Sequence, residues 1–526
     1  MSASTSASSA AADFAASEAA APAADRPLLE TGNRVLLLAA VITVAITQFL
    51  DATIANVALP HMQAALGASS DSISWVLTSF IMAGAIFMPI TGWMSDRVGS
   101  RNLYIGSAVV FLLSSAACGA ATSLAEMVIF RAIQGISSAF IGPMTQTIMY
   151  DVSPPSKQAI TMAYFGMISM AAPITGPFIG GYLTEYMSWR WIYYVNLPLG
   201  IPALLILWKY LPTRAIIPRR LDYLGFIAIG LALAALQLML DRGGQRDWFS
   251  SSEIVIEAWI AVSALWIYIV HTRSSANPLF NPSLFTNRYF IVSVIFMVML
   301  GLTSVALSSL LPTMFQTIYG YPVIEAGMLM APRGVGVILT SAITPWLIKR
   351  MDFRHVIFIG YVIAAFSVGM TTTWTLDMSW EPIVYSSFIQ GLGLGMVFSP
   401  MMLVAFSTID PALRPEGASL LSLFKNMGGS VGISLIVTML TRNQQAAHAD
   451  IAASMNLPYI PGLPAAAGGF PTMVPTIATM IDGEATRQAA MIAYLDNFTI
   501  LTWMMFAVAP LPLLLKMPPS MRPRRK

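Results

Sequence analysis

The chain is poor in charge. Of its 526 residues, only 10% are Asp, Glu, Lys or Arg, where a soluble globular chain carries about 25%. A water-soluble surface for a chain of this length needs far more. This excludes an ordinary soluble enzyme or a nucleic-acid-binding protein, and the net charge of +3 gives no hold on a polyanion. A single cysteine, Cys118, excludes a disulfide framework, a Cys-based zinc site and a CxxC redox pair. No Gly-Lys dipeptide occurs, so there is no Walker A phosphate loop and no recognisable ATP motor. The four histidines (His61, His271, His355 and His448) fall at expected helix ends or in loops, and no pair has helical metal-ligand spacing. No catalytic group, metal or cofactor is expected, and a membrane enzyme is a remote alternative.

What the chain has instead is apolar length. Hydrophobic residues make up 56% of it. A membrane helix needs about 20 mostly apolar residues, and fourteen such stretches appear: 35–58, 72–93, 102–121, 124–149, 159–183, 191–210, 222–240, 254–271, 289–312, 324–348, 355–375, 382–407, 417–440 and 495–515. The runs are long and continuous, which indicates helices and not the alternating strands of a barrel. With the N-terminus placed in the cytoplasm, 20 Lys and Arg residues fall on inward segments and 5 on outward ones. That bias predicts an all-α polytopic membrane protein with both termini cytoplasmic. Residues 1–33, rich in Ala and Ser, read as a disordered cytoplasmic tail without the basic start of a cleaved signal. Residues 517–526 read as a basic cytoplasmic tail. The stretch 441–494 reads as an outer loop, with Pro458, Pro461, Pro464, Pro471 and Pro475 preventing a continuous helix. Within it, 484–494 is expected to form a short amphipathic helix.

The chain repeats itself. TGWMSDRVGSR (91–101) is echoed by TPWLIKRMDFR (344–354), with Thr91, Trp93, Arg97 and Arg101 recurring as Thr344, Trp346, Arg350 and Arg354 at an offset of 253. AIQG (132–135) followed by Pro143 recurs as FIQG (388–391) followed by Pro400. The expected organisation is 6+2+6: a six-helix half over 34–211, a two-helix insert over 212–288 and a second half over 289–516. Parallel repeats of this kind mark a transporter of two rocking halves with its site between them.

Five segments carry the motif pattern: LDATIANVALP (50–60), GWMSDRVGSR (92–101), RAIQGISSA (131–139), APITGPFIGG (172–181) and WRWIYYVNLP (189–198). In this order they resemble the fourteen-spanner drug:proton antiporters of the major facilitator superfamily, within it the EmrB/QacA family. LDRGGQRDWFSSSEI (240–254) resembles its EmrB branch. The resemblance implies the major facilitator fold and a gating hairpin at Gly92, Asp96, Arg97, Gly99 and Arg101. Gly92 suits a close helix approach and Gly99 a tight turn. Asp96 is expected to cap the next helix or to pair with Arg97 or Arg101. Lys349 replaces this acid in the second copy. Pro173, Gly176, Pro177, Gly180 and Gly181 match the antiporter motif, a small-residue face on a helix whose hydrogen-bond ladder the prolines interrupt.

Ionisable groups at mid-membrane cost about 2.5–3.5 kcal/mol each on insertion scales and usually serve a pathway. Asp51 lies about 16 residues, or roughly 24 Å, into an outward-running helix, and Arg131 about 7 residues, or roughly 10 Å, into an inward-running one. Their depths match, so the two are expected to communicate directly or through Gln134 or water. A nearby guanidinium favours the carboxylate and burial favours the neutral acid. Asp51 is therefore the expected proton carrier. Arg333 and Lys425 each fall about 9 residues into their helices, near one midplane depth, with no evident acid beside them. Three deep cations against one anion suggest a cavity that favours lipophilic weak acids.

The expected function is proton-coupled efflux of amphiphilic drugs or toxic compounds from the bacterial cytoplasm, across the inner membrane, by alternating access. The proton gradient drives it. A transporter of one specific metabolite in the same fold is the alternative. For a double-membraned host, the resemblance implies a periplasmic adaptor and an outer-membrane channel as partners, besides the substrates, protons and membrane lipid; nucleic acid is not among them.

Overall fold

The computed structural model describes residues 25–217, 219–454 and 474–516. Among the described residues, fourteen helices are long and apolar enough to cross a membrane. They are α1 (Arg34–Leu66), α2 (Trp75–Val98), α3 (Ser100–Ala120), α4 (Leu124–Asp151), α5 (Gln158–Tyr186), α6 (Trp191–Tyr210) and α7 (Tyr223–Gly243). Then follow α8 (Ser252–Ser274), α9 (Arg288–Thr317), α10 (Val323–Arg350), α11 (Phe353–Thr371), α12 (Glu381–Thr408), α13 (Arg414–Ser454) and α14 (Val474–Val508). Polar side chains start several of them. Asn33 accepts from the Leu36 amide at 3.0 Å, and Asn287 from the Tyr289 amide at 3.0 Å, occupying donors that a helix start leaves open. Gly67, at φ 60°, ends α1 in a left-handed turn.

Two expectations about the loops need correction. α13 continues to Ser454 and α14 begins at Val474, so 441–454 and 474–494 are helical. The expected amphipathic helix at 484–494 lies within α14, continuous with the last spanner, and Pro475 sits in the first turn of α14, where a missing amide costs little. Pro458, Pro461, Pro464 and Pro471 lie outside the described residues, as do most of the N-terminal tail and 517–526. Residues 25–33 are packed, not free. The Leu29 amide donates to the Asp151 carbonyl at 3.0 Å and the Thr31 hydroxyl to the Tyr210 carbonyl at 2.8 Å. Pro173 and Pro177 do not end α5, which runs through both.

Close approaches without a Cβ organise the packing. Gly135 of α4 lies against the Phe80 carbonyl of α2, and Gly391 of α12 against the Arg333 carbonyl of α10. These are the glycines of the two Gln-Gly dipeptides in the repeat, so both copies use the same contact. Gly301 of α9 faces the Lys425 carbonyl of α13, and Gly428 faces that of Val298. Small residues let helix backbones touch where lipid offers no hydrophobic drive for association. α5 packs on α1 on one side and on α10 and α12 on the other, while α13 packs on α4 and on the last turns of α2. α7 rests on both α2 and α13, and α8 packs against α7.

A Cβ at residue 391 has only backbone to push against. Gly391→Ala should lower the thermal midpoint of the detergent-purified protein, since overpacking costs about 1–3 kcal/mol. Gly334→Ala, with open space around it, should leave the midpoint unchanged or raise it, because Ala in a helix gains about 0.5–1 kcal/mol over Gly. Thermal unfolding of both variants in one detergent checks this.

Candidate functional site

Asp51 of α1 is the centre of a dry polar cluster. Its carboxylate lies 2.6 Å from Arg131 Nη1 of α4, with the two side chains 0% and 1% exposed. Gln134 Nε2 donates to Asp51 Oδ1 at 3.0 Å and Asn196 Nδ2 of α6 donates to the same oxygen at 3.1 Å. Arg131 Nη1 also donates to Gln134 Oε1 at 2.9 Å, and Nε donates to the Val76 carbonyl of α2 at 3.1 Å. The Asn196 amide reaches Ser115 Oγ of α3 at 3.0 Å, and Ser115 donates onward to the Tyr193 carbonyl at 2.8 Å. The Phe80 ring lies 4.2 Å beneath the guanidinium. Six side chains from five helices thus hold one ion pair with its remaining polar positions occupied, the condition under which a buried pair is tolerable.

The structure joins Asp51, Arg131 and Gln134 directly. Sequence reading missed Asn196, Ser115 and Phe80. Asn196 was on view as the one amide inside the WRWIYYVNLP segment, but nothing in the linear order ties α6 to α1. The antiporter-motif helix adjoins the same place. A Cβ on Gly176 would strike the Thr53 side chain, and one on Gly180 would lie 2.8 Å from Ile54; Thr53 and Ile54 follow Asp51 within one turn of α1. Gly181 has more room, with Val57 at 3.9 Å from such a Cβ.

A second polar site closes the face on which α1 begins. Gly92 of the first hairpin abuts Glu416 of α13, which pairs with Arg219. Arg219 also lies 3.8 Å from Asp96 and donates to the Leu279 carbonyl at 2.7 Å. Beside it, Asp151 of α4 takes Arg414 at 2.7 Å and Arg214 at 2.6 Å. Burial pushes the Arg214 guanidinium below its ordinary value, with Asp151 opposing the shift. These contacts correct the expectation for Asp96. It neither caps α3, whose cap position is Gly99 at φ 88°, nor pairs with Arg97 or Arg101. Arg97 is exposed, and Arg101 donates to the Trp208 carbonyl. In the second hairpin Lys349 is exposed and Asp352 pairs with Arg354 of its own turn.

Lys425 and Arg333 lack carboxylate partners among the described residues, and they meet different parts of α9. The Lys425 carbonyl faces Gly301 of α9, whereas Arg333 meets Ser308 Oγ of the same helix at 3.4 Å, seven residues or about 10 Å further along. Arg333 is 3% exposed, and its Nε has no partner. It stands 253 residues after Phe80, so the second half carries a guanidinium where the first carries the ring under Arg131.

The Major Facilitator Superfamily model matches residues 41–433. The multidrug export protein EmrB of Escherichia coli K12 is 33% identical over 436 residues, covering 82% of this chain and 85% of that one. EmrB of Haemophilus influenzae is 34% identical over 443 residues, 83% and 86% of the two chains. The fatty acid resistance protein FarB of Neisseria gonorrhoeae is 32% identical over 412 residues, 77% and 80%. A crystal structure of the human organic anion transporter MFSD10 (TETRAN) shares the fold, with TM-score 0.56 at 15% identity, covering 90% of this chain and 99% of that one.

Arg131→Gln leaves Asp51 buried and without its counter-ion. Removing one partner of a buried pair costs about 3–5 kcal/mol, so this variant should unfold well below wild type. The Asp51→Asn/Arg131→Gln double variant should recover part of the loss. A double-mutant cycle on chemical or thermal unfolding in detergent measures the coupling.

Proposed function

The chain belongs to the major facilitator superfamily, and on that footing we propose that it is a proton-coupled exporter of amphiphilic compounds that works by alternating access. It is a multi-pass transporter of the bacterial inner membrane. The observation that carries the proposal is the fully buried Asp51, paired to Arg131 inside a bundle of membrane helices. Protonation of Asp51 removes the charge that holds Arg131, and the cluster of α1, α4 and α6 loosens. α5 conveys the change, because it seats Gly176 and Gly180 against Thr53 and Ile54 and also packs on α10 and α12. We assign 34–211 and 289–516 to the two rocking halves and 212–288 to an insert. Both termini lie in the cytoplasm, so the clasped face is the cytoplasmic one.

The printed roles of the relatives, multidrug export and fatty acid resistance, support export of amphiphiles. Asp51 and Arg131 cancel each other, leaving Arg333 and Lys425 as the uncompensated deep charges. That balance favours lipophilic weak acids over cations. The 34 methionines suit an adaptable apolar cavity. In a host with two membranes, a periplasmic adaptor and an outer-membrane channel complete the route, and the helical extensions 441–454 and 474–494 are the surface on the outer side that would meet them.

Two experiments test this. In proteoliposomes, Asp51→Asn should lose pH-driven export while still binding substrate. Wild-type flux from that variant would move the coupling site elsewhere. For the clasp, spin labels at Arg97→Cys and Ala412→Cys report the separation of the hairpin from the turn that leads into α13, with Cys118 buried and quiet. Glu416→Gln should broaden this distance distribution toward longer values. An unchanged distribution would mean that the clasp does not set the state of the cytoplasmic face.

A further inference from the structure

Lys425 does not behave as a snorkelling rim lysine. Its Nζ lies 5.8 Å from the centre of the Phe49 ring on α1 and 5.5 Å from that of Phe398 on α12. The ammonium is therefore gripped between rings from opposite halves of the chain. It is half-buried, and no ion pair among the described residues includes it. An ammonium in such a place, stacked on two ring faces and lacking a carboxylate, has charge to offer an incoming anion.

The surroundings are built in the same sense. Gln146 of α4 spends its Nε2 on Ser422 of α13, one turn before Lys425, at 3.1 Å. Its Oε1 is buried without a partner. Gln48, next to Phe49, gives its Nε2 to Ser138 Oγ at 3.2 Å and likewise keeps a buried Oε1 without a partner. Ser399, next to Phe398, has a buried hydroxyl without a partner. Of these groups the Ser399 hydroxyl and the second Nε2 hydrogen of each amide are donors that an anion can use, and a buried donor without a partner is costly to leave unmatched. Neighbouring aromatic rings supply the apolar wall that an amphiphile requires.

We propose that Lys425, with Phe49 and Phe398, forms the seat for the acidic head of a lipophilic monocarboxylate. The carboxylate pairs with the Lys425 ammonium and accepts from the Ser399 hydroxyl and from the second Nε2 hydrogens of Gln48 and Gln146, and the alkyl body lies along the rings. Arg333, further outward and walled in, is not part of the seat. Because Phe49 and Phe398 belong to different halves, an occupied seat joins the halves. The proposal rests on the exporter reading above but names a different group from the one that couples protons.

The test uses the full-length protein in detergent, with dodecanoate as the acid and dodecyltrimethylammonium as a cation of the same chain length. Wild type should bind dodecanoate. Lys425→Met, a neutral residue of similar shape, should weaken dodecanoate by about tenfold or more, the loss expected for a charge-assisted contact. It should leave the cation within about twofold, since the apolar body is recognised in the same way. Lys425→Arg should retain the acid, which guards against a general loss of fold. The seat is overturned if Lys425→Met binds dodecanoate as wild type does, if it loses both ligands equally, or if wild type does not bind the acid. Proteoliposome flux separates this from the exporter reading. Lys425-dependent binding without pH-driven flux keeps the seat and defeats proton coupling. PH-driven flux of the cation without dodecanoate binding does the reverse.

Discussion

A carboxylate and a guanidinium have been taken out of water in the middle of a membrane helix bundle, and the first half of the chain is arranged to make that tolerable. Each ion alone would cost several kcal/mol to bury. The Asp51–Arg131 pair is held at 2.6 Å, with Gln134, Asn196 and the Val76 carbonyl occupying the positions that the pair leaves open. Each of these contacts comes at a geometric cost. α4 must face α1 at one depth, α6 must bring Asn196 under the same oxygen, and Gly135 must let α2 close enough to put Phe80 beneath the guanidinium. The pair thus fixes the relative heights of five helices. On the proposed function it is also the element that a proton can undo.

The two halves share a frame but divide the chemistry. Gly135 and Gly391 make the same backbone contact in each copy. Around that contact the halves diverge. Arg131 has Phe80 beneath it, while the corresponding place beside Gly391 holds Arg333, a guanidinium without an acid. At the hairpins, Asp96 faces Arg219 and Glu416, while Lys349 of the second copy is exposed. On the proposed function, a latch in one half only lets the other turn against it, and a proton site in one half only leaves the second half free to present positive charge to substrate.

Much of this was legible before any coordinates. Fourteen apolar runs place fourteen helices, and counting residues along α1 and α4 was enough to bring Asp51 and Arg131 to one depth. Depth counting worked there because both helices start near the edge of the apolar layer. It did not show what surrounds Lys425 and Arg333, because their contacts with α9 at Gly301 and Ser308 are ones that no linear count contains. The partner of Asp96 was illegible for a related reason. Arg219 lies in a segment with no periodicity, more than a hundred residues away, and Arg97 and Arg101 were simply nearer in sequence. The continuation of α13 to Ser454 was hidden because a polar helix outside the membrane has no apolar run to announce it.

The clasp and the deep pair call for different kinds of release. The clasp arginines are 11–21% exposed and their carboxylates Glu416 and Asp151 only 3% and 1%, so these pairs are partly buried, at an edge that water can enter if the halves part. On the proposed function they open by hydration, without a change of protonation, and set the balance between states. Asp51 and Arg131 have no such recourse, since no water reaches them and separation would leave two bare ions in a dry interior. A proton on Asp51 removes one of the ions and with it most of that penalty. The guanidinium can then lean on Gln134, the Val76 carbonyl and the Phe80 ring. On the proposed function, coupling follows from this difference in hydration: the barrier to rocking is highest where water is absent, and that is where the carboxylate sits.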